Sequence, residues 1–532
     1  MTPTDSYWPK DEGEPVVDMT VGDLLREAVA AAPDRTALVA GVPDAAGRRR
    51  WTYAQLLADA ERTARALLGR FERGERVAIW APNIPQWVIF EMAAGLAGIV
   101  LVAVNPAYRP AELTYVLRQS RSSGIFFMRE FRGNPMAASV EQARPELEDL
   151  REAVSFDEWD DFVATGSTNR ALPVVRPDDP AQIQYTSGTT GFPKGAHLHH
   201  RGIVNNARFT AERFEVPDGA SWLNPMPLFH TGGCVLAALG ALWARATHIP
   251  VVAFDPGLVL ELIETERVDV MGGVPTMLIA MMEHPDFTTR DLSSLRSVLS
   301  GGATVPAELV RRIESTLGVR FGIVYGQTEA SPVITQTRLD DTPADKAETI
   351  GQPQPQQEVK VVDPVTGAIV PPGAVGEICS RGYNTMLGYF EMPEATAETI
   401  DGEGWLHTGD LGTMDERGYL RIEGRLKDMV IRGGENLYPR EIEELLFTHP
   451  AVADVAVVGV PDDTWGEELA AVVRRAPGHA EVTEQELRSF VRERLAPQKA
   501  PRLWAFVDEL PLTPSGKVQK FVLRERLTKG DI

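Results

Sequence analysis

At 532 residues the chain is longer than one ordinary domain, so two or more domains are expected. Its 43% hydrophobic and 24% charged residues suit a soluble globular protein, and a net charge of −22 excludes a general nucleic-acid or anionic-membrane surface, which needs clustered lysine and arginine. Cys234 and Cys379 are the only cysteines, too few for a disulfide framework or a cysteine-based metal site; with an opening "MTPTDSYWPKDEGEP" that lacks the basic and apolar regions of a signal peptide, they lead us to expect a cytoplasmic protein.

In chain order, "RVAIWAPN" reads as a strand. The apolar run Trp87–Val104, "WVIFEMAAGLAGIVLVAV", follows it. Glu91 and the small residues Gly95 and Gly98 interrupt that run, so it reads as a buried helix feeding a buried strand, a βαβ unit with no membrane span. "PVVRPDDPAQ" is a surface connection, "AQIQY" a short strand, and the residues from about Arg201 to Arg213 a helix. "VDVMGGVPTMLIAMME" and "SVLSGGATVPAELVRRIESTL" each repeat strand, turn and helix, the second with Pro306 near its helix start. "RFGIVYGQTEA" is a strand ending in a polar loop. This alternation predicts α/β architecture, with ligands gathered at the carboxyl ends of strands. Near Gly424–Asp428 the pattern changes. "ERGYLRIEGRLKDMVIRGGENLYPREIEELL" reads as two short strands, a Gly-Gly turn and a helix opening at Pro439; "VADVAVVGV", a helix from about Thr483 and "LWAFVD" complete a small α+β domain of roughly a hundred residues.

Between "AQIQY" and the helix lies "YTSGTTGFPKGA", Tyr185–Ala196, read as a loop between strand and helix. Its glycines let the backbone approach a ligand, successive N–H groups can face an anion, Thr186, Ser187, Thr189 and Thr190 add donors, and Lys194 adds charge. That outlines a phosphate cradle; a polar linker is the alternative. It is not a Walker loop, because Phe192 and Pro193 separate Gly191 from Lys194 and Gly195 follows the lysine. Further polar clusters end other strands: "SGGATVP" (Ser300–Pro306), "YGQTEA" (Tyr325–Ala330) and "WLHTGD" (Trp405–Asp410), with "PLTPSGKVQK" placing Lys517 in a turn near the end.

Together and in this order, with "PLFHTGG" and "GRLKDMVIRGGENLYPREIE", these motifs resemble the ANL superfamily of adenylate-forming enzymes over essentially the whole chain. The resemblance implies a large multi-subdomain α/β domain, residues 1–426, and a small mobile α+β domain, 427–532, hinged at Lys427. It implies ATP, Mg²⁺ and coenzyme A as cofactors. In members of that superfamily a carboxylate attacks the α-phosphate to give acyl-AMP and pyrophosphate, and a thiol then displaces AMP. The first step needs cations and oriented donors where two anions meet.

Residue by residue, Thr186, Ser187, Gly188, Thr189, Thr190, Gly191 and Lys194 match the loop that holds the β- and γ-phosphates. Gly302 and Ala303 match the adenine wall, and Tyr325, followed by Gly326, the aromatic against which adenine lies. Thr328 matches the α-phosphate ligand, Glu329 the Mg²⁺ carboxylate, Asp410 the ribose acceptor and Arg425 a ribose or phosphate contact. Lys517 matches the lysine that bridges substrate carboxylate and α-phosphate. Relatives rotate the small domain between half-reactions, which would withdraw Lys517 and bring in Gly433 and Gly434 to line a pantetheine tunnel; Trp465 and Lys499 are candidates to meet the CoA nucleotide, with ordinary surface positions as the alternative.

Amino-acid-activating relatives carry an aspartate near "FHTGG"; no acidic residue lies between Pro225 and Leu239, so an acid without an α-amine is expected. Phe229, His230, Gly232, Gly233, Cys234 and Ser331 are the expected acyl pocket, with His230 its gate and Gly232 and Gly233 leaving space. "NPAYRPAEL", "PMPLFHTGG" and "LGYF" resemble medium-chain fatty acyl-CoA synthetases most closely. Aryl- or cinnamate-type ligases, and natural-product enzymes that deliver the acyl group to a carrier protein or a nitrogen nucleophile, share much of the pattern. A non-catalytic nucleotide sensor is the alternative of a different class. A homodimer is open, no nucleic-acid partner is expected, and His199-His200, which lacks matching ligands, reads as surface.

Overall fold

The computed structural model describes residues 5–11, 13–186, 193–301, 307–433, 435–462, 464–512 and 518–532, with the side chains of residues 307 and 308 left aside. Ser187, Gly188, Thr189, Thr190, Gly191, Gly302, Ala303, Gly434 and Lys517 therefore lie outside the described residues.

Two large sheets carry the first part of the chain. One has seven strands; its centre is parallel because the largely buried strands Arg76–Trp80 and Val100–Val104 are joined by the helix Pro85–Ala97. Pro85 opens that helix and Gly98, at φ +67°, closes it, so the apolar run folds as the expected βαβ unit. The other sheet has nine strands, among them Val270–Gly272, Ser297–Gly301 and Arg320–Gly326 in parallel register. A five-stranded antiparallel sheet includes Gln357–Val362, Gly376–Gly382, Leu406–Met414 and Leu420–Arg425.

The fourth sheet is built wholly from residues after Asp428: Val430–Arg432, Glu435–Leu437, Val452–Asp462, Gly466–Arg475 and Leu503–Val507. Among the described residues its core, including Val430, Ile442, Leu469 and Leu487, draws on nothing before residue 430. This is the small α+β part, and it holds two strands, Glu435–Leu437 and Gly466–Arg475, that the sequence reading did not pick out. Among the described residues no helix is long and apolar enough to cross a membrane.

Candidate active site

The strand Pro180–Thr186 does not run through a loop directly into a helix. It turns back as an antiparallel strand, Lys194–His199, with Thr186 opposite Lys194, and only then does the helix His200–Arg213 begin. The expected strand–loop–helix is thus corrected to a hairpin. Its two base residues, Thr186 and Lys194, bracket residues 187–193.

At the end of the strand Arg320–Gly326, the half-buried Tyr325 donates its hydroxyl to Asp410 Oδ2 at 2.8 Å. Asp410 Oδ1 lies 3.2 Å from Arg425 Nε, and the two residues face one another across paired strands. Burial, with the Asp410 carboxylate alongside, pushes the Tyr325 phenol well up, so it stays a donor. Asp410 is itself propped from behind. Gly409 takes φ +68° and donates its N–H to Glu377 Oε1 at 3.0 Å, while Glu377 Oε2 lies 2.8 Å from His407 Nδ1. Hydrogen bonds to Cys379 and Glu377, against the opposing effect of burial, raise His407 to about 10. Glu377, Cys379 and His407 place ligand atoms within 4.8 Å of one another, but the Nδ1 of His407 is already committed to Glu377.

Beyond Tyr325, Gly326 leaves no room for a side chain: a Cβ there would meet Pro332 O at 1.9 Å. The short turn Thr328–Ala330 follows. Glu329 is buried, and its Oε1 accepts a 2.7 Å hydrogen bond from Tyr389 Oη. The Lys194 ammonium sits 4.9 Å from the centre of the Tyr389 ring.

His230 is exposed, and its Nδ1 accepts the N–H of Gly232 at 3.1 Å. The segment Gly232–Leu239 that follows winds as a π-helix, a form common at functional sites. Phe229 is half-buried against the main core. Cys234 is wholly buried, with Sγ accepting from Gln184 Nε2 at 3.3 Å. Ser331 is wholly buried at φ +61°, and a Cβ on Gly202 would lie 3.1 Å from its Oγ. The expected space exists at Gly232, where a Cβ would find nothing nearer than His230 Nδ1 at 3.4 Å. It does not exist at Gly233, where a Cβ would meet Pro227 O at 2.1 Å.

In the small part, Lys427 lies in the short helical turn Leu426–Asp428 directly after the strand that carries Arg425. Gly433 takes φ +59°, its N–H donates to Trp465 O at 2.8 Å, and a Cβ on it would collide with the Trp465 ring. Trp465 is 43% exposed, and Lys499 is ion-paired with Glu441 at 2.6 Å.

The sequence matches the family described as "AMP-binding enzyme" over residues 25–390 and "AMP-binding enzyme C-terminal domain" over 441–517. The chain belongs to the AMP-binding enzyme family. Within this family it is 42% identical to the Bacillus subtilis protein YngI, named as an acyl-CoA synthetase, over 96% of this chain and 97% of that protein. It is 38% identical to the human mitochondrial medium-chain acyl-CoA ligase ACSF2, over 96% of this chain and 88% of the other. The crystal structure of ATP-bound MatB from Rhodopseudomonas palustris superposes with a TM-score of 0.87 at 31% identity, covering 96% of this chain and 99% of that one. As an AMP-binding enzyme the chain is an adenylate-forming ligase of the ANL superfamily.

Two features of this AMP-binding enzyme differ from the sequence reading or were missed by it. His199 and His200 are buried, not surface residues. His199 Nδ1 accepts Gly202 N–H at 3.1 Å at the helix start, and His200 Nδ1 accepts Val21 N–H at 3.3 Å; burial lowers His200 to about 4. The props Glu377 and Tyr389 were not singled out as individual residues. Tyr389 lay inside "LGYF", a visible signal, whereas Glu377 is one carboxylate among many until the fold sets it beside Gly409.

Proposed function

We propose that the protein activates an uncharged, hydrophobic carboxylic acid of medium chain length as its acyl-AMP and transfers the acyl group to coenzyme A. The observation that carries this reading is a pair of polar groups flanking the Thr328–Glu329 turn in sequence and contact: Tyr325 and Arg425 both meet Asp410, and Tyr389 meets both Glu329 and Lys194. Tyr325 would offer its ring to adenine and Asp410 would accept from the ribose hydroxyls; a carboxylate has lone pairs beyond those used by Tyr325 and Arg425. Thr186 and Lys194, with residues 187–191, would hold the β- and γ-phosphates, and Thr328 the α-phosphate.

The donor set suits a hard cation: Glu329 is an oxygen ligand with one oxygen already fixed by Tyr389. Mg²⁺, held by Glu329, would neutralise phosphate charge as pyrophosphate departs. In the first step a carboxylate oxygen of the acid bonds to the α-phosphorus and the bond to pyrophosphate breaks, with Lys517 offsetting repulsion between the two anions. In the second, the CoA thiolate attacks the acyl carbon and AMP leaves. We place the domain boundary at 426/427, with Lys427 as hinge and Gly433 and Gly434 at the thiol's path.

The choice of acid rests on Phe229–Val235 and Ala330–Thr335, which contain no Asp, Glu, Lys or Arg to hold a second charged group. The 38% identity to a relative named as a medium-chain ligase supports the same choice. The test is pyrophosphate release across a panel of acids, with CoA present, absent or replaced by amines, and with octanoate competed against cinnamate. Octanoate should win and CoA should be consumed. Preference for acetate, an amino acid or a dicarboxylate refutes the acid assignment; turnover with amines but not CoA refutes the acceptor.

A further inference from the structure

The motif "LGYF", Leu387–Phe390, carries no role in the reading above, yet its segment joins the two halves of the nucleotide end of the site. On one side Met386 N–H donates to Glu329 O at 2.9 Å and Asn384 Nδ2 to Ala330 O at 2.8 Å. On the other, Leu387 N–H donates to His197 O and Phe390 N–H to Gly195 O, both at 2.8 Å, so that Tyr389 lies opposite Ala196 as an edge on the phosphate hairpin. Gly388 makes this turn at φ +134°, where a Cβ would strike Thr396 Cγ2 at 2.8 Å, and Tyr389 N–H is fixed by Thr396 Oγ1 at 2.9 Å. The ring that emerges is buried; its hydroxyl reaches the carboxylate and its face meets the ammonium.

We infer that Tyr389 is a positioning residue that sets Glu329 for the divalent cation and Lys194 for the phosphates. This inference rests on the roles proposed above for those two residues. A hydroxyl donating to a carboxylate forms a short, charge-assisted bond that fixes the carboxylate's rotation and consumes only one of its oxygens. An ammonium over an aromatic face is attracted to it but keeps its hydrogen-bond donors. The one side chain thus touches two opposite charges. It gives each a partner that leaves it able to bind its ligand, which a direct pairing of Lys194 with Glu329 would not.

The test compares Tyr389→Phe, which removes only the hydroxyl, with Tyr389→Leu, which also removes the aromatic face. The first readout is calorimetric affinity for ATP with and without Mg²⁺, with the acid omitted so that nothing turns over. Tyr389→Phe should bind metal-free ATP as wild type does but lose about three- to tenfold of the affinity gained on adding Mg²⁺, the scale of one hydrogen bond. In steady state its requirement for Mg²⁺ should rise by a similar factor, while kcat at saturating Mg²⁺ and KM for the acid stay near wild type. Tyr389→Leu should weaken metal-free ATP binding as well. The double variant Tyr389→Phe/Glu329→Gln should lose no more of the Mg²⁺ gain than Glu329→Gln alone. If Glu329→Gln shifts the Mg²⁺ gain and Tyr389→Phe does not, the Tyr389 inference fails by itself. If Glu329→Gln leaves that gain unchanged, the role given to Glu329 fails and takes the inference with it. A loss in Tyr389→Phe that saturating Mg²⁺ does not restore, accompanied by a lower unfolding temperature, makes the residue a packing element and also overturns the inference.

Discussion

A single carboxyl shows how burial changes chemistry that composition cannot report. Glu91 interrupts the apolar run that becomes the helix Pro85–Ala97, and it is 3% exposed. Its Oε1 accepts Gln182 Nε2 at 2.6 Å, while Oε2 has no partner among the described residues. Burial raises its pKa to about 8, against the lowering effect of the Gln182 hydrogen bond. The folded protein therefore holds a proton that the unfolded chain gives up near its ordinary value of 4.5. The stabilisation is complete below that lower value, declines as pH rises toward about 8, and is level above it. Glu91→Gln keeps the acceptor and removes the titration. Its unfolding temperature should match wild type near pH 4.5 and exceed it by a few degrees near pH 8.5. Thermal scans across that range check this, and an unchanged pH dependence would mean that Glu91 is ionised in the fold.

At the scale of elements, the phosphate hairpin and the π-helix decide where side chains go. "KGAHLH" has too few apolar residues to announce a strand, and it becomes one because Pro180–Thr186 offers it a free edge. The neighbouring glycines of "HTGG" look equivalent in sequence, yet backbone surrounds one of them and not the other. Gly233→Ala should cost on the order of 3 kcal/mol, because Pro227 O cannot move without shifting the chain. Gly232→Ala should be tolerated. Gly232→Leu, directed at the open side, should move acid preference toward shorter chains in graded steps, since each buried methylene is worth only about 0.8 kcal/mol. Denaturant unfolding measures the first pair, and competition among acids from butyrate to decanoate measures the last. Equal instability of Gly232→Ala and Gly233→Ala would contradict the packing described.

For the molecule as a whole, the small part has its own sheet and core, and the chain reaches it through one short turn at Leu426–Asp428. On the proposed two-step mechanism, a change at that turn should separate the half-reactions. Lys427→Pro restricts φ and removes an N–H. Acyl-AMP formation should persist, while transfer to CoA falls by at least about tenfold, as expected when a required domain motion is blocked. Lys517→Ala should do the reverse, cutting adenylation about 100- to 1,000-fold and leaving transfer from supplied acyl-AMP nearly intact. Pyrophosphate release and thioester formation, assayed apart, read both variants. Equal loss of the two half-reactions in each would remove the case for rotation about Lys427.

Local patterns determined much of this protein: the βαβ unit of Arg76–Val104, the parallel strands ending at Gly272, Gly301 and Gly326, and the change of composition near Gly424. Apolar periodicity and turn residues act over a few positions, so they survive in the linear chain. The ordered motifs likewise carried the family. Tertiary structure alone decided the rest. It buried His199 and His200, turned Lys194 back onto Thr186, closed the space at Gly233, and brought Tyr389 to Glu329 across sixty positions of sequence. Burial, close approach and the pairing of distant groups depend on which surfaces meet when the sheets pack, and no local stretch of residues contains that information.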